Sequence, residues 1–322
     1  MCYSAQVWSS YRSYQRAYGA QVDFKAFLQL FIRRQNGEKI SVPKGMTDAF
    51  KLAAPESEDE AKCQELVRAY DTQQIPLLQE QLFAQRRRLA DAERSLTSKT
   101  TKKASEDQRI ATKKIADFVR KLDDLERTEP KDRDERIFAG YYCPVLTMDA
   151  DGKLLVRPMR FQCRPAGKPA FYDSKYPGTY NARRDSLKGF WKGLFGHTHA
   201  VVMAGAFYEN VKLHRLERRE LAEGEAEQNV ILKFVPEGGE PMALASLWSH
   251  WTGKDEPDLL SFALITDEPP LEVSDAGHDR CPVPLKAGNF EGWLSAPAEA
   301  AYVYDAMLED KERPYYKHLL AA

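Results

Sequence analysis

The apolar positions along the chain change their period partway through. Between residues 57 and 135, Leu82, Leu89 and Leu96 recur every seven positions, with Leu78 and Ala92 beside them. Ala111, Ile115, Phe118, Leu122 and Leu125 then follow at steps of three and four. Either spacing keeps the apolar side chains on one stripe of a helix. The polar stretch "TSKTTKKASED" separates the two segments. The pattern therefore predicts an inserted antiparallel helical hairpin over 57–135 with coiled-coil-like packing. Pro76 is expected to start or kink its first helix, because proline lacks the N–H and crowds the preceding turn. Upstream, "DFKAFLQLFIRR" predicts a helix capped by Asp23, then a turn at "QNGEK" and an irregular stretch at "SVPKGM".

From residue 136 the texture becomes that of strands. "RIFAGYYCPVLTMDADGKLLVRPMRFQC" holds two apolar runs joined by "DADG", a hairpin signature. Further strands are predicted at "HAVVMAGAFYE", "NVILKFVP", "MALASLWSHW" and "LLSFALITD", and short helices at "GNFEGWL" and "AEAAYVYDAML". Many strands with few helices predict an α+β fold: a curved mixed or antiparallel sheet, barrel-like, with flanking helices. The expected organisation is a single domain over 1–322, with the 57–135 arm and a main strand-rich core at 136–295.

Composition narrows the class. The 322 residues carry a net charge of -1 and 30% charged side chains, so neither a globally basic nucleic-acid binder nor an acidic tail protein is indicated. A local basic groove remains compatible with that balance. No run of 18 apolar residues exists, so no membrane span is expected. The N-terminus lacks a basic region followed by an apolar one and carries no acylation motif. The five cysteines (Cys2, Cys63, Cys143, Cys163 and Cys281) have no metal-ligand spacing and read as reduced thiols in a cytosolic protein. His197 and His199 in "GHTHA" lack a third ligand at a convincing spacing, so neither a metal nor a cofactor is expected.

Four features carry chemistry. Cys2 becomes the N-terminal residue if Met1 is removed, and then offers a thiol and an α-amine two carbons apart. "YNARRDSLKGFWKG" brings Asn181, Arg183, Arg184, Lys188 and Lys192 together with Phe190 and Trp191. Cations bind phosphates and aromatic faces stack bases, the recipe for a single-strand groove. Glu209 ends an apolar strand in "AGAFYEN", where burial would raise its pKa and suit acid–base work. His278 lies in "DAGHDRCPVPL", where two prolines stiffen the following turn, and an imidazole there can exchange a proton near neutral pH. A cysteine, a glutamate and a histidine also fit a cysteine-type peptidase or amidohydrolase with His278 as base. A non-catalytic DNA-binding scaffold is a third reading.

Taken in order, "MC", "MRFQCRP", "NARRDS", "AGAFYE", "LASLW", "FALITDEP" and "HDRCPVPL", followed by Trp293-Leu294, resemble the SRAP family (SOS response-associated peptidases, or abasic-site processing proteins). The resemblance covers residues 1–15 and about 136–295. The chain departs from the family pattern at Tyr3-Ser4 (Gly-Arg is common), at Phe161-Gln162 (Trp-Gly), at Asn210 (Trp) and at Cys281 (Met). The resemblance implies a covalent crosslink between Cys2 and the aldehyde of an abasic site in single-stranded DNA, closed as a thiazolidine after autocatalytic loss of Met1. An AP-lyase side activity is compatible with the same groups. It implies catalytic roles for Cys2, Asn181, Glu209 and His278, and DNA contacts from Arg183, Arg184, Arg280 and Trp191. The protein is expected in the cytoplasm, on the nucleoid if the source is bacterial. The 57–135 arm has no counterpart in the family's compact members and is expected to be a solvated helical insertion, with a partner-binding or DNA-guiding arm as the alternative.

Overall fold

Among the described residues, the alternating segments pair into one twelve-stranded mixed sheet. The computed structural model describes residues 3–254, 256–295 and 300–321. Two units separate: Met1–Leu30, Lys39–Ala49 and Lys131–Ala322 form the first, Phe31–Glu38 and Phe50–Pro130 the second.

The first unit carries every strand: β1 (Ser4–Val7), β2 (Gln21–Val22), β3 (Arg136–Phe138), β4 (Tyr142–Met148), β5 (Leu154–Phe161), β6 (Asn181–Arg183), β7 (His199–Lys212), β8 (Asn229–Pro236), β9 (Met242–Gly253), β10 (Glu256–Asp267), β11 (Cys281–Pro282) and β12 (Tyr316–Leu320). β7 pairs with β9, β9 with β10, β10 in parallel with β5, and β5 with β4. β4 returns to β7 where Leu146 faces Val201. That circuit closes the sheet on itself, so the barrel-like mixed sheet expected from the sequence is present. Closure removes the long open edges that would otherwise template aggregation.

Its interior is apolar. Phe161, Phe207, Phe234 and Phe262 are fully buried. Phe161 stacks on Phe262 at 5.2 Å between centroids, and Phe207 on Phe234 at 5.0 Å. Each such ring contributes roughly 1.5–3 kcal/mol by leaving water. The β4–β5 turn forms at "DADG" as expected. Asp149 Oδ1 accepts from the N–H groups of Asp151 and Lys153, and Gly152 supplies the left-handed residue at φ +77°. β12, which the strand pattern did not indicate, pairs with β8 along its length.

Helices α1 (Tyr11–Tyr18), α2 (Phe24–Gln35) and α3 (Lys44–Lys51) follow β1 and β2. Asp23 caps α2 as expected, its Oδ1 accepting from the Ala26 N–H at 3.0 Å. The stretch read as irregular instead enters α3 directly after Pro43. Met46, Thr47 and Phe50 recur at helical spacing and are buried, which outweighs the Gly45 penalty.

In the second unit, α4 (Glu58–Ser98) and α5 (Lys102–Glu126) form the long hairpin. Ser57 and Thr101 cap them by accepting from the N–H groups of Glu60 and Ala104. α4 starts at Glu58 and runs through Pro76, so the proline does not start the helix. Leu82, Ala92, Ala104 and Ala111 are buried along the two helices, and Arg88 clamps Asp107 from the facing helix at 2.5 and 3.1 Å. No helix among the described residues is long and apolar enough to cross a membrane.

Candidate functional site

Glu209 sits far along β7, where register sets it opposite Leu232 of β8. Its carboxylate is completely buried. His278 reaches it from the loop after the helix Leu271–Asp275, with Nε2 at 3.0 Å from Glu209 Oε2. The loop is built to aim that ring. Gly277 takes φ +95°, and its N–H bonds the Ser274 carbonyl while the His278 N–H returns to Val273. Together these make a Schellman closure with His278 as its outer residue. The left-handed backbone favours glycine here, and a Cβ at position 277 would also crowd Arg215 Cβ at 3.3 Å.

The other ring nitrogen, Nδ1, is held by the backbone of Arg280, 2.8 Å from its carbonyl and 3.3 Å from its N–H, so the ring is pinned on both sides. Burial pushes the Glu209 carboxyl above its ordinary range, and the His278 hydrogen bond opposes that shift. The pair thus places a carboxyl and an imidazole within hydrogen-bond reach at the end of an apolar strand.

Asn181 begins β6, which runs parallel to β10 with Asn181 opposite Leu264. Thr266 of β10 is flanked by Arg183 of β6 on one side and Pro282 of β11 on the other, so the sheet brings the "NAR" and "HDRCP" segments side by side. Asn181 is buried, and both polar atoms of its side-chain amide lack a hydrogen-bond partner among the described residues. A buried, unpartnered amide costs about 1–3 kcal/mol and calls for a ligand or a role. Arg183 is half exposed, and Asp185 takes both Arg183 (3.0 Å) and Arg280 (3.2 Å).

Two expected DNA contacts are occupied elsewhere. Arg184 turns to Glu309 (2.6 Å) and Asp267 (3.5 Å). Trp191 is 3% exposed and presents no face to a base, because its ring completes the local core; Phe190, 43% exposed, is the available ring of that segment. Cys2 lies outside the described residues. The strand it precedes is informative nonetheless. β1 runs antiparallel to β7 with Ser4 opposite Tyr208, so the chain enters β1 from the Glu209 end.

The cysteines at 63, 143, 163 and 281 are buried thiols, not disulfides. Burial raises their thiols, to about 12 for Cys63, Cys163 and Cys281, which makes them poor nucleophiles. His199 packs against Phe195, Trp293 and Tyr304, and burial lowers its pKa to about 3, as suits a neutral core residue. No group of three or more metal-ligating side chains is assembled among the described residues. Two cavities share Pro284, Glu312 and Pro314: one of about 430 Å³ lined mainly by prolines and charged residues, the other of about 450 Å³ with Tyr18, Met203, Met242, Leu285 and Phe290 in its wall; neither includes Glu209 or His278.

Sequence reading missed the loop before Asn181. Phe171 (59% exposed), Tyr172 and Tyr176 (38% exposed) continue toward Phe190, with centroid steps of 6.0, 4.6 and 6.4 Å. Lys168 and Lys175 lie over Tyr172 and Tyr176. The signal was present in the composition. Residues 164–192 hold seven cations and two carboxylates in a chain of net charge -1. Gln162, at the head of this loop, takes φ +140°, a conformation that favours glycine, and its side chain donates to the Asp173 carbonyl.

No curated protein matches the chain. Similar solved structures include a protein from Bordetella bronchiseptica (20% identity, 58% of this chain and 87% of that one, TM-score 0.45). Others are a protein from Bacteroides thetaiotaomicron (16%, 58% and 78%, 0.44) and a phage-related protein from Bordetella bronchiseptica (17%, 61% and 85%, 0.45). The family described as "SOS response associated peptidase (SRAP)" matches residues 94–318, well over half of the chain. The chain therefore belongs to the SRAP family, whose general role is abasic-site processing in the response to DNA damage.

Proposed function

We propose that this protein loses Met1 and then captures abasic sites in single-stranded DNA as a covalent adduct on Cys2. The observation that carries the reading is the buried Glu209–His278 pair, 3.0 Å apart, at the end of β7 from which the chain enters β1. In this reading the pair handles the two protons that the reaction needs. The His278 side of the pair gives a proton to the sugar ring oxygen as the abasic deoxyribose opens to its aldehyde. Glu209 takes a proton from the Cys2 ammonium, freeing the amine. An α-amine with an ordinary pKa of about 7.7–8.0 needs little help at neutral pH. The amine adds to C1′ and water leaves, giving an imine. The thiol then adds to the imine carbon and its proton passes to the nitrogen, closing a five-membered thiazolidine. The thiol is already tethered, so closure proceeds at high effective concentration.

Asn181 would orient the amine or the opened sugar, which would supply the partners its amide lacks. Arg183 would hold the adjacent phosphate. Bases of the flanking strand would stack on Phe171, Tyr176 and Phe190, with Lys168, Lys175 and Lys192 along the backbone. Arg280 would act through Asp185, and Arg184 and Trp191 would support the fold. Peptidase activity would be the removal of Met1, and β-elimination through the imine would give a lyase side reaction. The working compartment would be the cytoplasm, where thiols stay reduced.

Intact-mass spectrometry before and after incubation with abasic single-stranded DNA tests this. The expected result is a mature mass lacking Met1 that shifts by the mass of the oligonucleotide less one water. Adduct formation by Cys2→Ala at the wild-type rate would overturn the reading. Hydrolysis of an amide substrate with no adduct would favour the cysteine-type hydrolase instead.

A further inference from the structure

The residues that follow Cys2 are held by a side chain from another strand. Arg136, the first residue of β3, pairs with Gln6 of β1, yet its guanidinium reaches back along β1. Nε donates to Ser4 Oγ at 2.8 Å, and Nη2 donates to Tyr3 Oη at 3.1 Å. The guanidinium carbon Cζ lies 3.7 Å from the ring centroid of Tyr208, the residue before Glu209, and 4.9 Å from that of Phe138. Tyr3 in turn packs on Phe138 at 6.2 Å. Ser4 is fully buried, so its hydroxyl needs such a donor. One planar group thus joins the start of β1, the stem of β3 and the neighbour of Glu209.

We propose that Arg136 is a positioning residue for Cys2: it fixes the orientation of Tyr3 and of Ser4, the first residue of β1, and so the direction from which the amine approaches Glu209. This rests on the reading of Cys2 as the nucleophile. An arginine suits the task because two donors in a rigid fork, stacked between rings, define an orientation that a single ammonium cannot. A misplacement of about 1 Å in a reacting group costs on the order of a hundredfold in rate, so a fixed stem has a large lever.

The test measures adduct formation at saturating abasic single-stranded DNA, and separately the affinity for the undamaged oligonucleotide. Met1 removal is checked by intact mass in every sample. Arg136→Lys is expected to slow adduct formation at least about tenfold while leaving affinity for undamaged DNA within about twofold. Tyr3→Phe removes one acceptor without disturbing the stack, and should give a smaller loss in the same rate alone; it decides the matter if Arg136→Lys does not fold. Wild-type rates in Tyr3→Phe and in a folded Arg136→Lys would overturn the assignment. So would a loss confined to affinity, since Arg136 would then be a phosphate contact. If the wild-type protein itself forms no adduct, the proposed function fails, and that result is distinct from either variant outcome.

Discussion

Burying Glu209 makes stability depend on pH in an unusual direction. Its folded pKa is raised by burial above the ordinary 4.5. Such a carboxyl binds its proton more tightly when folded, so stability is fully present below the unfolded pKa and is lost as pH rises through the folded one. Glu209→Gln keeps the shape and removes the titration. Its melting temperature should match wild type near pH 4, to order of magnitude, and exceed it progressively above that. The same variant should slow adduct formation by up to about tenfold, because roughly a tenth of the α-amine is already free at neutral pH without a base. Thermal melts across pH and single-turnover rates check both halves. A wild type that gains on the variant with rising pH would mean that the carboxylate is stabilised in its charged form. At this scale the sequence alone went only part of the way. Glu209 and His278 each stand out as candidates for proton transfer, but no spacing along the chain says that the end of β7 meets a loop near residue 278. The order of family-like motifs implies that both serve one site, not that they touch; Gly277, at φ +95°, shows how the backbone brings His278 to Glu209.

Elements were most legible where burial repeats. "NVILKFVP" is β8 residue for residue, and the seven-residue leucines mark α4. β12 escaped because only Tyr316 of its five residues is buried, so no alternation exists to read; backbone pairing with β8 creates it. α3 escaped because Pro43 and Gly45 look like breakers, although a proline just outside a helix start costs nothing. Pro76 shows the opposite case, a proline inside a helix that continues. It removes one backbone hydrogen bond and crowds the carbonyl four residues before, an expense of up to about 3 kcal/mol that the flanking turns of α4 absorb. Pro76→Ala is therefore expected to raise the melting temperature of the helical signal in far-ultraviolet circular dichroism. A fall would show that the proline ring makes a packing contact worth more than the lost bond.

For the whole molecule, the question is whether chemistry and arm are separable. The barrel core draws on β-strand residues from Ala5 to Tyr316 and includes no side chain of α4 or α5. The hairpin likewise satisfies itself, through Leu82, Ala92, Ala104 and Ala111 and the Arg88–Asp107 clamp. Within the second unit, Gln64 of α4 also donates to the carbonyls of Phe50 and Ala53, which fixes the first turns of α4 against the residues before them. A truncation that respects this keeps Cys63 and Val67 and replaces residues 80–115 with a short glycine–serine loop. Independent units predict that this shortened protein melts cooperatively and forms the abasic-site adduct within about twofold of the full-length rate. Salt titration of binding to undamaged single-stranded DNA adds the discriminating readout. Each lost phosphate contact lowers the slope of log affinity against log salt by roughly 0.7. An unchanged slope would leave the arm outside the DNA path and free for another role. A reduced slope with an unchanged rate at saturation would assign the distal hairpin to guiding the strand. A reduced rate at saturating DNA would contradict the independence of the two units.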